Sequence, residues 1–101
     1  MNNYPKAGQF YYHYKHNPEK GILDYCYRII GIGYNTETEG LAVIYQPLYA
    51  KETINKNATL YVRETEIFME KVEKPELNYF GPRFRLVEDD VVIKNLEKGL
   101  Y

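Results

Sequence analysis

The strongest constraint on this chain is that its apolar residues come in short alternating runs, each closed by a polar turn. "QFYYHY" (residues 9–14) sets Phe10, Tyr12 and Tyr14 on one side against Tyr11 and His13 on the other, which is the period of a strand. This placement predicts that Tyr12 and Tyr14 pack inward and that His13 and Lys15 are left as site candidates, with His16 opening the next loop. "KHNPEKGILD" reads as that loop from its Asn-Pro and its glycine. "YCYRIIGIGY" (residues 25–34) is the longest strand candidate, and Gly31 and Gly33 on one face point to bending or to close approach of a neighbour. "NTETEG" turns the chain and "LAVIYQ" (residues 41–46) returns it as a hairpin.

After the loop "PLYAKETINKNA" comes a strand, "TLYVRE" (residues 59–64). "TEIFMEKV" is expected to open with one helical turn, capped by the Thr65 side chain and plugged by Ile67 and Phe68, before running into a strand. The linker "EKPELNYFG" feeds "PRFRLV" (residues 82–87), read as a final short strand or an extended closing segment. Val92, Leu96 and Leu100 in the tail recur at helical intervals behind acidic starters, the pattern of a short amphipathic helix.

Five to six short strands in one domain predict a mainly β fold: a small SH3-like barrel or a strongly bent antiparallel sheet, with a short C-terminal helix. The expected division is a β domain over residues 1–87 and a tail over 88–101. A length of 101 residues allows one modest core. The chain is rich in rings, with 12 Tyr and 4 Phe and no Trp.

Composition also narrows the function classes. A formal charge of −1 argues against a generally basic nucleic-acid binder while leaving room for a local basic face. The single cysteine, Cys26, sits inside an apolar strand and reads as a buried, inert thiol. No apolar run approaches the roughly 20 residues of a membrane span, and "MNNYPKAG" has no secretory h-region, so the expectation is a cytoplasmic protein without a membrane partner. The "NAT" sequon at residues 57–59 then meets no glycosylation machinery.

The usual chemical signatures are thin. His13 and His16 fall on opposite faces of a strand and no Cys/His cluster joins them, so no metal site is expected. There is no "GxSxG", and "GIG" lacks the continuation of a phosphate loop. The acidic pairs Glu37 with Glu39 and Asp89 with Asp90 lie in turns or tail, where carboxylates are ordinarily solvated. These absences lean away from an enzyme and call for no cofactor. What remains is a polar and aromatic set: Tyr11, His13, Lys15, Tyr45, Tyr49, Tyr61, Arg63, Arg83 and Arg85. Rings interleaved with Arg and Lys stack bases and hold phosphates. The competing explanation makes the tyrosines cross-strand packing pairs and the arginines surface ion pairs.

The order of residues also carries a resemblance. "YYHYK", "IGIGYNTETEGLAVIYQPLY", "LYVRETEIFMEKV" and "PRFRLV" succeed one another in that order, and over residues 8–87 the chain resembles the DUF1653 family of small uncharacterised bacterial proteins. The likeness rests on His13, Tyr14 and Lys15, on Thr36, Glu37 and Thr38, on Tyr45, Leu48 and Tyr49, on Val62 and Arg63, and on Phe68, Pro82, Arg83 and Phe84. Tyr61 and Glu64 stand where that family tends to have Trp and Pro, and Asn35 where it often has His. The loop over residues 50–58 is longer than the family's usual one. The resemblance implies a compact β domain and leaves function open.

It also marks where to look. His13, Lys15, Glu37, Thr38, Arg63 and Arg83 are expected to converge on one rim, with Tyr45 or Tyr49 stacking on a planar part of a ligand. Arg63 and Arg83 would hold an anion through forked donors. The expected partner is RNA or a nucleotide-like ligand; the alternative is a peptide or protein laid in a tyrosine groove of SH3 type. A structural reading would instead pair Glu37 with Arg63 inside the fold.

Overall fold

The computed structural model describes residues 4–49 and 60–99. The sequon, the 50–58 loop and Leu100 lie outside the described residues. The elements are β1 (Phe10–His13), β2 (Cys26–Asn35), β3 (Gly40–Pro47), β4 (Tyr61–Glu64), α1 (Thr65–Phe68), β5 (Lys71–Lys74), β6 (Tyr79–Pro82), β7 (Phe84–Leu86) and α2 (Asp90–Lys98). Single 3₁₀ turns occupy Pro18–Lys20 and Pro75–Leu77.

The strands form an antiparallel five-stranded sheet in the order β4-β3-β2-β1-β7, and β5 pairs with β6 as a separate hairpin. The sheet is therefore not closed into a barrel, which corrects the SH3-like expectation: β4 and β7 remain its two edges. The reason lies at Arg83. The expected closing segment, residues 82–87, is divided there between β6 and β7. Pro82 has no N–H to continue a ladder. The Arg83 N–H turns to the Glu70 carbonyl at 2.9 Å, while its own carbonyl accepts from the Tyr14 N–H at 2.9 Å. One half of the segment thus serves the hairpin and the other half the main sheet.

β2 and β3 are the longest strands and hold the register of the rest. Their pairing slips between Ile29 and Gly31, a bulge at Ile30 that bends the sheet. Gly33 answers the question its spacing raised: a Cβ there would stand 2.9 Å from Ile44 Cδ1, so the close neighbour is a side chain of β3.

Both faces of the sheet carry a core. On one, Tyr27, Ile29, Val43, Tyr45, Phe68 and Phe84 are buried together, with Tyr11, Tyr49 and Tyr61 packed against them. On the other, Phe10, Cys26, Val87 and Leu96 are buried under α2, joined by Tyr12, Val92 and Ile93. Alternation along β1 therefore separates two interiors rather than inside from outside, and Tyr11, expected to face out, meets Phe68 edge-on at 5.5 Å. Tyr12 is half-buried and stacks on the His16 ring at 3.7 Å. Tyr14, beyond the end of β1, turns instead toward Tyr79.

α1 forms as one turn at the predicted place, but its start is held differently. Thr65 does not cap it; the Thr65 hydroxyl donates to the Leu41 carbonyl at 3.1 Å and ties the turn to β3. Of the two expected plugs, Phe68 is 1% exposed and lies flat on Phe84 at 4.0 Å, whereas Ile67 is 43% exposed. α2 is capped by Asp89, whose carboxylate accepts from the Val91 and Val92 N–H groups, and it ends at Gly99 in the left-handed region at φ 71°.

Candidate functional site

The most chemically loaded region lies where the end of β1 meets the start of β2, the end of β3 and the chain crossing at Arg83. His13 is the last residue of β1 and pairs across to Phe84 of β7. Its N–H donates to the Tyr25 carbonyl at 3.0 Å, and its Nδ1 accepts from the Lys15 N–H at 3.2 Å. That acceptor role fixes the neutral ring with its proton on Nε2. Burial pulls the His13 pKa down to about 4, and the charges of Lys15, Arg63, Arg83 and Lys74 push in the same direction. A neutral imidazole with its proton on Nε2 is a hydrogen-bond donor at neutral pH, and its other nitrogen is already engaged, so it is poorly placed to take a proton.

The four cations arrive from different elements. Lys15 is exposed in the turn after β1, Arg63 comes from β4, Lys74 from the end of β5, and Arg83 from the crossing between β6 and β7. Arg63 donates from Nε to the Tyr45 hydroxyl at 3.2 Å and lies over the Phe84 ring at 5.7 Å. Arg83 is ion-paired through Nη2 to Glu70, while its buried Nε has no hydrogen-bond partner. Lys74 Nζ stands 6.0 Å from the centre of the Tyr14 ring.

Rings make the floor. Tyr25 is held at φ 47°, the left-handed region that a bulky side chain enters at a cost of about 1–3 kcal/mol. That backbone sets its ring 5.5 Å from His13 and 5.2 Å from Tyr49. Tyr49 shares a 2.8 Å hydroxyl–hydroxyl hydrogen bond with Tyr27, and burial raises the pKa of both phenols, so neither is a nucleophile at neutral pH. Cys26 lies on the opposite face, fully buried, with its thiol pushed up to about 12. Among the described residues no group of three or more His, Cys, Asp or Glu could hold a metal ion. His16 is occupied elsewhere: its Nδ1 donates to the Asp24 carbonyl.

Of the residues singled out from the sequence, His13, Lys15, Arg63 and Arg83 come together, with Tyr49 beside them through Tyr25. Tyr45 is 2% exposed inside the aromatic core, so its contact with this region is the hydroxyl that holds Arg63 rather than an open ring face. Glu37 and Thr38 lie elsewhere. They occupy the exposed tip of the β2–β3 hairpin, some eight residues along β2 from Tyr27, or about 26 Å of strand. There Asn35 organises the turn, its Oδ1 accepting from the Glu37 and Thr38 N–H groups and its amide donating to Glu64. Thr38 borders a hollow with Glu64 and Glu66, of opposite charge to the cations around His13. The Glu37–Arg63 ion pair does not form; the ion pair among the described residues is Arg83 with Glu70.

Sequence reasoning passed over Tyr25, Lys74 and Tyr79. Lys74 and Tyr79 sit in what read as a linker, and neighbours distant in sequence bring them in. Tyr25 stands at a strand start whose left-handed backbone has no sequence signature.

These features define a small, mainly β domain, an open sheet with packing on both faces and a cationic, ring-lined corner. The chain matches the family described as "Protein of unknown function (DUF1653)" over residues 9–86 and belongs to that family. The matched stretch runs from the residue before β1 to the last residue of β7 and stops short of α2. No curated protein and no solved structure matches the chain.

Proposed function

We propose that this protein is a binding module for nucleic acid or a nucleotide-like anion, with its site at the His13 corner. The observation that carries this reading is that Lys15, Arg63, Lys74 and Arg83 are each tied by a backbone bond or a ring contact to His13 or to its neighbours Tyr14 and Phe84, in a chain whose formal charge is −1. Like charges on neighbouring elements repel one another and an anion relieves that repulsion; among the described residues the ion pair here is Arg83 with Glu70. Arg83 brings a guanidinium already shared with Glu70, Lys15 and Lys74 bring ammonium groups, His13 a single N–H, and Tyr14, Tyr25 and Tyr49 half-buried rings suited to a planar group. The reading is one of recognition: among the described residues the ionisable groups at this corner are a neutral imidazole, phenols, cations and the Glu70 carboxylate paired with Arg83.

An amide-resolved NMR titration with an eight-nucleotide single-stranded RNA, at low and at moderate salt, tests it. Shifts gathered at His13, Lys15, Tyr25 and Arg83 that fade with salt are expected. Lys15→Ala and Arg83→Ala should weaken them while each variant still melts cooperatively. Absence of shifts at both salts would overturn the proposal. Binding of a peptide at the same rings, insensitive to salt, would replace it with the groove reading.

A further inference from the structure

Not all ring pairs in this protein meet alike. In the core, Tyr45 meets Tyr27, Tyr61, Phe68 and Phe84 edge-on, with planes crossed by 69–87°. At the His13 corner the rings instead run in a row with modest tilts. Tyr79 lies 5.4 Å from Tyr14 at 19°, and Tyr14 lies 4.2 Å from His13 at 34°. His13 lies 5.5 Å from Tyr25 at 30°, and Tyr25 lies 5.2 Å from Tyr49 at 33°. Within the core Phe68 and Phe84 also depart from edge-on packing and lie flat on each other, and both arrangements are ordinary ways for rings to pack. The rings of this row, drawn from β6, the β1 turn, the start of β2 and the end of β3, are all half-buried, so each keeps part of its surface in solvent.

From this we infer that the ligand is a single strand of nucleic acid lying along the row from Tyr79 to Tyr49, an inference that rests on the function proposed above. Followed from ring to ring, the spacings of 4.2–5.5 Å give a path of at most about 20 Å. A stacked strand carries one phosphate per roughly 3.4 Å and an extended one fewer, so the path spans about three to six nucleotides. A mononucleotide has one planar group and one phosphate cluster and would leave most of the row empty. The cations lie toward the Tyr79–His13 part of the row: Lys74 is at the Tyr14 ring, the Lys15 N–H is bonded to the His13 ring, the Arg83 carbonyl accepts from Tyr14, and Arg63 lies over Phe84 beside His13. Rings plus cations, with few base-edge donors, describe a reader of strand and phosphate rather than of sequence. The left-handed Tyr25 fits the same scheme, because its backbone sets the ring that bridges the two halves of the row.

The experiment is fluorescence anisotropy with labelled oligouridines of two, four, six and eight nucleotides, together with an NMR titration by uridine monophosphate. Affinity should rise at least tenfold from the dinucleotide to the six-mer and then level off. Tyr79→Leu and Lys74→Gln, at one end of the row, should weaken the six-mer several-fold and leave the dinucleotide unchanged, a length dependence that loss of folding does not produce. Uridine monophosphate binding as tightly as the six-mer would overturn the strand inference and leave the binding reading standing. Equal loss at every length in both variants would also overturn the row. No binding of any probe would overturn both readings together.

Discussion

His13 illustrates how one side chain registers its surroundings. Its pKa stands at about 4, below the ordinary histidine value near 6.5, because burial and neighbouring cations both disfavour its charged form. The unfolded chain therefore binds a proton at this position more readily than the folded one. The linked stability is present in full above pH 6.5 and is lost as pH falls from there toward 4. His13→Gln, which keeps a polar side chain and removes the titration, should show a smaller fall in melting temperature between pH 7 and pH 4.5 than the parent protein. Equal falls in the two would show that folding does not lower the His13 pKa. At the hairpin tip, two neighbouring residues should separate cleanly. Asn35→Ala removes the acceptor for two backbone N–H groups and should cost about 1–2 kcal/mol in chemical denaturation. Glu37→Ala leaves the backbone N–H that Asn35 holds and should stay within about 0.5 kcal/mol.

At the scale of elements, α2 tests how far the family's matched stretch depends on the chain beyond it. The helix begins after the match ends, yet Leu96 is 2% exposed against Phe10, Cys26 and Val87. Leu96→Ala opens a cavity in a small cluster and should destabilise the protein by about 2–4 kcal/mol. Cys26 supplies a local reporter, because its thiol is fully buried and pushed up to about 12, and it reacts only when the α2 side opens. The rate of thiol labelling under native conditions should therefore rise by tenfold or more in Leu96→Ala. An unchanged rate would mean that α2 does not guard this face. On the other side of the sheet, the hairpin of β5 and β6 is joined to the main sheet through the backbone bonds of Arg83 to Glu70 and Tyr14. That crossing is what carries Lys74 and Tyr79 to the His13 corner.

For the whole molecule the informative quantity is the contrast between a formal charge of −1 and a corner with four converging cations. An anion bound as proposed would feel the local field more than the net charge, and screening would act strongly because the Debye length at physiological salt is about 8 Å. If three to four phosphates are neutralised, the logarithm of the affinity for single-stranded RNA should fall against the logarithm of salt with a slope of about −2 to −3. Lys15→Ala should make that slope shallower by somewhat less than one. A slope near zero would mean that the cations are not in the interface. No helix among the described residues is long and apolar enough to cross a membrane.

Legibility in the sequence depends on which forces are local. The strand periods, the turn at Asn35–Gly40, the single turn at Thr65 and the amphipathic tail are set by neighbours within a few residues, so the sequence by itself determined a mainly β chain with a C-terminal helix. It also marked His13, Lys15, Glu37, Thr38, Arg63 and Arg83 as one set, with Tyr45 or Tyr49 beside them. Only the tertiary structure decided that the sheet stays open, because that depends on Arg83 sharing its backbone bonds between Glu70 and Tyr14, which are far apart in the chain. Both faces of β1 carry apolar and aromatic side chains, and alternation alone cannot tell two interiors from one interior and solvent. The same holds for the site. Glu37 and Thr38 look equivalent to Lys15 as polar residues in turns, but the length of β2 carries them to the opposite end of the sheet, while a left-handed Tyr25 and a crossing strand bring in Tyr25, Tyr79 and Lys74 instead. Spacing along a chain fixes which side of a strand a residue faces; where that strand ends is fixed by contacts that only the folded chain makes.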